Sequence, residues 1–255
     1  MVAPTVEVAP EAASSTLSDA IPLPEKRPSF AHTMDKVVAH LKQYTSPKVL
    51  DIGCGRKSDI GRYLKEQRSH ALIHGADLDE YSLKNTDVDE LFICDAAEMP
   101  FEDGSYDVVF SQFLLEHVQD SQKTVNSIAR VTAPGGLAAL IIPNPTSPAS
   151  TVAKLTPYSF HLYFKRKIQK YDNVSEDTFP TFFAFKSVNT LKAQMQKAGF
   201  TDIEAAYIPE MFYRFRYRPI LIRLAMVYTK VLLAANLNFL KSSVVVSGIK
   251  AEEAS

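Results

Sequence analysis

A short apolar run that ends in two glycines constrains this chain more than any other feature. Val49-Leu50-Asp51-Ile52 stops abruptly at Gly53, and Gly55 follows two positions on. A run of that length bounded by glycine predicts a strand buried in a parallel sheet. The two glycines permit a sharp reversal and a close approach of backbone to ligand. Residues 58–67 then predict a helix, whose first N–H groups have no partner within the helix. In an open α/β sheet, ligands sit at the carboxyl ends of strands, near the point where strand order reverses. The segment is a candidate binding site by position as well as by composition.

The same alternation continues along the chain. Phe30, Met34, Val37, Val38 and Leu41 recur at helical spacing and predict a helix over 30–45, closed by Ser46 and Pro47. Further strands are predicted at 71–78, 91–94, 106–112, 137–142, 200–208 and 243–249. Helices are predicted near 119–132 and over 187–198, the latter stopped by Gly199. This order implies an α/β fold, with a mostly parallel sheet covered by helices on both faces. Residues 145–186 show no clear alternation and carry many aromatics. The predicted organisation is a disordered tail over 1–29 and one domain over 30–255, with cap segments at 145–186 and 209–241.

Composition narrows the functional classes. The formal net charge of −1 over 255 residues is unlike the basic footprint of a dedicated nucleic-acid binder, so no nucleic-acid partner is expected. Cys54 and Cys94 cannot make a disulfide scaffold or a zinc site alone, which fits a reducing compartment and a cytoplasmic protein. Residues 1–29 lack the basic start and apolar run of a secretion signal. The apolar stretch 219–240 is nearly long enough to cross a bilayer, yet Arg223, Lys230, Asn236 and Asn238 interrupt it. A helix packed on the domain is the plain reading. A helix lying on a membrane surface through 211–240 is the rival, helped by Arg214, Arg216 and Arg218.

The nature of the ligand follows from what the glycine loop lacks and what surrounds it. A dinucleotide fingerprint needs a third glycine at position 58, which is Ser58. With VLDIGCG at 49–55, ADLD at 76–79, CDAAEMPFED at 94–103, SYDVVFSQFLLEHV at 105–118 and RVTAPGG at 130–136, the chain resembles the class I S-adenosylmethionine-dependent methyltransferases, in the broad group that includes quinone-ring enzymes. The resemblance covers residues 45–144 closely and the later strands in outline. It implies a three-layer Rossmann-like methyltransferase fold, with a seven-stranded, mostly parallel sheet, an antiparallel last strand and an aromatic-rich helical cap. It implies S-adenosyl-L-methionine as cofactor. Asp51 would order the loop and help receive the ammonium group, while Gly53, Cys54 and Gly55 would bring the backbone to the amino-acid moiety. Asp77 would accept both ribose hydroxyls, with Leu78 beside it, and Asp95 with Ala96 would fix the adenine edge. Gln112 would stand beside the methionine part. Lys57 departs from the pattern, because the family usually has a small residue there. It either points outward, crowds the loop or attracts the cofactor carboxylate.

A hydroxyl acceptor would need a base. His117, just past the fourth strand, is the candidate catalytic residue, since imidazole titrates near neutrality. The plainer reading is that it braces its helix. His161 and Tyr163 are further candidates. No metal-ligand cluster appears, and methyl transfer needs none. Aromatics between 157 and 185, with a second cluster at 211–217, suit an apolar small-molecule or lipid-like acceptor, methylated at oxygen. They would equally suit a small core within the cap. Two alternatives stand beside this reading: a non-catalytic cofactor-binding module, and a methyltransferase acting on a lipid-linked glycan at a membrane surface.

Overall fold

The computed structural model describes residues 27–67, 70–157, 179–215 and 219–252, together with residues 159, 160, 163 and 167. Seven strands form one sheet in the order β3-β2-β1-β4-β5-β7-β6. They are β1 (Lys48–Ile52), β2 (Leu72–Asp77), β3 (Glu90–Ile93), β4 (Tyr106–Gln112), β5 (Thr132–Pro143), β6 (Phe200–Ile208) and β7 (Ser243–Lys250). β1 pairs in parallel with β2 and β4, and β7 runs antiparallel to both β5 and β6. The order reverses between β1 and β4, so the loops after these two strands diverge and leave a crevice.

The helices are α1 (Pro28–Leu41), α2 (Asp59–Glu66), α3 (Ser121–Val131), α4 (Pro148–Leu155), α5 (Val188–Lys197) and α6 (Pro219–Ala235). Period-two alternation in the strands divides the core into two layers. Val49, Val108 and Phe110 face α1 and α2, meeting Phe30, Met34, Val37, Ile60 and Leu64. Leu50, Ile52 and Val109 point to the other face, against Val125 and Ile128 of α3 and Leu191 and Met195 of α5. The Phe30 ring meets Phe110 and Tyr63 edge-on, with centroids 6.2 and 6.0 Å away.

The expected strands and helices recur within four residues of their predicted ends, except that β5 begins at Thr132, five residues before its predicted start. α1 stops at Leu41, its last buried position, rather than at 45. The fold also begins before residue 30, and the tail expected over 1–29 otherwise lies outside the described residues. Ser29 is buried, and its N–H donates to Oε2 of Glu210 at 3.0 Å. Ser243 Oγ donates to Oε1 of the same carboxylate at 2.7 Å, and the Arg27 guanidinium stands 3.8 Å from it. A buried carboxylate thus joins the start of α1 to the β6–β7 edge, where composition alone reads as tail.

The segment after β5 holds a helix that hydrophobic periodicity did not show. α4 is signalled by its cap instead: Ser147 Oγ accepts from the Ser150 N–H, and Pro148 occupies the first turn. α6 ends where Asn236 takes a left-handed conformation (φ 49°). Among the described residues, no helix is long and apolar enough to cross a membrane.

Phe30→Ala removes two edge-on ring contacts from a residue that is 4% exposed. It is expected to lower the unfolding free energy by about 3–5 kcal/mol in a urea titration, with unchanged slope.

Candidate functional site

The turn after β1 is built by glycines at positions no side chain would tolerate cheaply. Gly53 and Gly55 have φ of +71° and +54°. A Cβ on Gly53 would come within 3.0 Å of Leu114, whereas a Cβ on Gly55 would meet nothing within 4 Å. The loop is pressed against the β4 side at its first glycine and open at its second. The gap beside Gly55 is space for a ligand.

Neighbouring strands hold this turn in place. Asp77, at the end of β2, accepts the Gly55 N–H at 2.8 Å through Oδ2 and the Asp79 N–H at 2.9 Å through Oδ1. Each carboxylate oxygen retains a second lone pair, so Asp77 can anchor the loop and still accept two hydroxyls. Asn85 Nδ2 donates to the Gly55 carbonyl at 3.0 Å, and Asp87 Oδ2 accepts the Ser58 N–H at 3.1 Å. Sequence reasoning missed Asn85 and Asp87, which sit in an irregular stretch between β2 and β3. It also undervalued Ser58, which counted only as the missing third glycine. Ser58 is the N-cap of α2: its Oγ accepts from the Gly61 N–H at 2.8 Å and donates to Asp51 Oδ2 at 2.6 Å. A serine before a helical run is a capping signal and was legible as such.

Asp51 forms the floor of the loop and is buried. Desolvation raises its pKa to about 7, Ser58 opposes that shift, and the Asp59 and Asp77 charges add to it. Three carboxylates therefore surround one turn, which suits a cationic ligand. Burial, followed by the Asp51 and Asp77 charges, pushes the Cys54 thiol well up, so it stays protonated. Lys57 is exposed.

The remaining predicted residues lie along the same carboxyl edge. Leu78 follows Asp77 and is 72% exposed, an apolar surface left in solvent beside the loop. Asp95 is exposed and holds its own turn by accepting the Ala97 N–H at 2.8 Å, above buried Ala96. Gln112 closes β4, and its Nε2 donates to Asp59 Oδ2 at 3.3 Å. Its Oε1 is buried without a hydrogen-bond partner, an acceptor waiting for a donor. The next residue, Phe113, has a φ of 56° and turns the chain out of the sheet.

His117 sits farther along. Its Nδ1–H donates to the Pro180 carbonyl at 2.7 Å, and its Nε2 lies 3.9 Å from Glu116 Oε1. The Glu116 carbonyl accepts the N–H groups of Phe182 and Phe183. The pair thus clasps the chain returning from the segment after β5. His161 lies outside the described residues, and Tyr163 is 61% exposed.

The expected aromatic lining divides three ways. Phe183 and Phe185 join the main core. Phe212 and Phe215 pack with Ile222, Ala225 and Met226 in a separate small core under α6. Phe160, Phe179 and Phe182 are exposed. A cavity of about 500 Å³ opens near the end of β6, lined by Thr146, Ser187, Asn189, Tyr207, Asn236 and Asn238 among others. It shares no lining residue with the glycine turn, and Val188, Leu237 and Phe239 complete a lining of mixed polar and apolar character.

Comparison with known proteins bears on this geometry. Residues 50–140 match the family described as "Methyltransferase domain". A demethylmenaquinone methyltransferase of Staphylococcus haemolyticus is 30% identical over 171 residues, covering 62% of this chain and 70% of that protein. A 27-O-demethylrifamycin SV methyltransferase of Amycolatopsis mediterranei is 29% identical over 125 residues, which span 44% of this chain and only 45% of that enzyme. Phosphoethanolamine N-methyltransferase 2 of Haemonchus contortus, solved in complex with S-adenosyl-L-methionine, superposes with a TM-score of 0.51. It is 21% identical, with 86% of this chain and 53% of that chain covered, a likeness of fold.

The Asp51 shift predicts how stability responds to pH. Its folded pKa lies above the unfolded value of 3.8, so its contribution is full below that value and is lost as pH rises through about 7. Asp51→Asn is expected to remove a fall of roughly 4 kcal/mol between about pH 4 and pH 7. Urea titrations of both proteins across that range measure the difference.

Proposed function

The chain belongs to the class I S-adenosylmethionine-dependent methyltransferases, and from that membership we propose that it methylates an oxygen of an apolar, lipid-like acceptor. The observation that carries the cofactor end of the site is the turn at Gly53–Gly55, ringed by Asp51, Asp59 and Asp77 and flanked by the unpartnered Gln112 Oε1. S-adenosyl-L-methionine is the cofactor, and these groups fit it. Asp77 has the free lone pairs for two ribose hydroxyls. Gln112 Oε1 and the buried Asp51 charge suit an ammonium donor. Leu78 and Ala96 offer apolar surface to adenine, with Asp95 at its edge.

The cofactor supplies a methyl group already activated by its positive sulfur. What remains for the protein is to orient an acceptor and exclude water, which can account for roughly 7–11 kcal/mol of such a barrier. Phe113 and Leu114 begin the wall on the β4 side. The segments after β5 and β6 both leave the sheet at its carboxyl edge, the edge that carries the crevice. His117 is assigned to the acceptor's proton: donation of Nδ1–H to Pro180 leaves Nε2 as the basic nitrogen of the neutral ring. The apolar acceptor is supported by the aromatic composition of these segments and by the names of two relatives, a demethylmenaquinone methyltransferase and a 27-O-demethylrifamycin SV methyltransferase.

Calorimetric titration with S-adenosylhomocysteine, with NAD as control, tests the cofactor site. Binding of the former alone is expected. Asp77→Ala should weaken it about a hundredfold or more, because two hydrogen bonds to a charged acceptor are lost together with the Gly55 anchor. Unchanged affinity would overturn the ribose assignment. His117→Gln should lower kcat by about 10²–10⁴-fold with that affinity intact. A variant that keeps both kcat and its pH profile would make His117 a brace only.

A further inference from the structure

Among the described residues, seventeen large apolar side chains are exposed, and twelve of them lie beyond β5. Most of the exposed apolar surface therefore belongs to the segments after β5. On α6 it is ordered. Ile222, Ala225 and Leu232 are buried on one side. Ile220, Leu224, Val227 and Val231, spaced by four, three and four residues, make a continuous stripe on the other side, each more than half exposed. Arg223 and Lys230, seven residues apart and both exposed, run along one flank of that stripe. A helix apolar on both faces needs a second apolar partner.

The charge around the stripe says what kind of partner. Residues 211–240 contain five basic residues and no acidic one, in a chain whose net charge is −1. Such concentration of one sign on a single segment suits an anionic surface. The helix cannot cross a bilayer, so an apolar stripe flanked by cations suits a position in the plane of the headgroups.

We propose that α6 docks the protein on a lipid bilayer carrying anionic headgroups, with Ile220, Leu224, Val227 and Val231 inserted and Arg223 and Lys230 at the headgroup level. α6 is reached from the end of β6 and returns to the start of β7, both at the carboxyl edge of the sheet. Both ends of α6 thus join the sheet at the edge that carries the cofactor crevice. The docking stands on this surface alone, while delivery of an acceptor from the bilayer rests also on the function proposed above.

Co-sedimentation of the full chain with vesicles of phosphatidylcholine, alone and mixed with phosphatidylserine, is the test. Binding to the mixed vesicles is expected, with release as salt is raised. Arg223→Gln with Lys230→Gln should weaken partition about 25-fold, at about fivefold per charge. Leu224→Ser and Val227→Ser should each weaken it about tenfold or more. S-adenosylhomocysteine affinity should be unchanged in every variant, which shows that the fold is intact and separates failure of docking from failure of the cofactor site. No binding to the mixed vesicles would overturn the proposal. So would equal partition of the wild-type chain and the variants, or a dimer that Leu224→Ser dissociates, which would make a second copy the occupant.

Discussion

The hydrogen bond from the Gly55 N–H to Asp77 is the constraint on which the rest of the site depends. It ties the turn after β1 to the end of the neighbouring strand, across the gap where a ligand must lie. A backbone turn with two left-handed residues has little reason to keep one shape in water. Here Asp77, Asn85 and Asp87 hold three of its backbone groups, and Ser58 couples it to both α2 and Asp51. The turn is rigid because its neighbours supply what its own sequence lacks. That rigidity preorganises the site, since the groups need not be ordered when the cofactor arrives.

The electrostatics follow from the same arrangement. A buried carboxylate is costly, and Asp51 responds by holding its proton until near neutrality. A cation placed beside it would relieve that cost. The same argument explains the unpaired Oε1 of Gln112, a buried acceptor that only a ligand's donor can satisfy. Both groups are strained alone and satisfied by one kind of partner. Local stability is lower there than in a site built for packing, as is common for functional sites.

The fold was legible to a large degree, because the strands alternate between two buried layers and glycine or proline marks their ends. β4 and β6 run over the residues their patterns indicated, 106–112 and 200–208. α4 was not read, because its apolar positions Val152 and Leu155 face solvent and leave no amphipathic pattern. Its capping Ser147 and the Pro148 that follows were the local signals. The burial of Ser29 at the start of α1 was hidden for a different reason: Glu210, which anchors it, lies 181 residues away. Asn85 and Asp87 escaped notice because polar residues in an irregular stretch look like any solvated loop. The aromatic clusters were visible, but composition does not separate a core residue such as Phe185 from an exposed one such as Phe179.

The order of strands and helices, the glycine turn and the acidic residues at strand ends were written in the sequence by itself, because each depends on local periodicity and backbone freedom. The chain's membership of its methyltransferase family follows from the same motifs. Tertiary structure alone decided which carboxylate is buried, which loop groups hold the turn, and which face of α6 meets protein and which meets solvent. Those outcomes depend on contacts between residues far apart in the chain, where desolvation and hydrogen bonding are set by three-dimensional proximity rather than by neighbours in sequence.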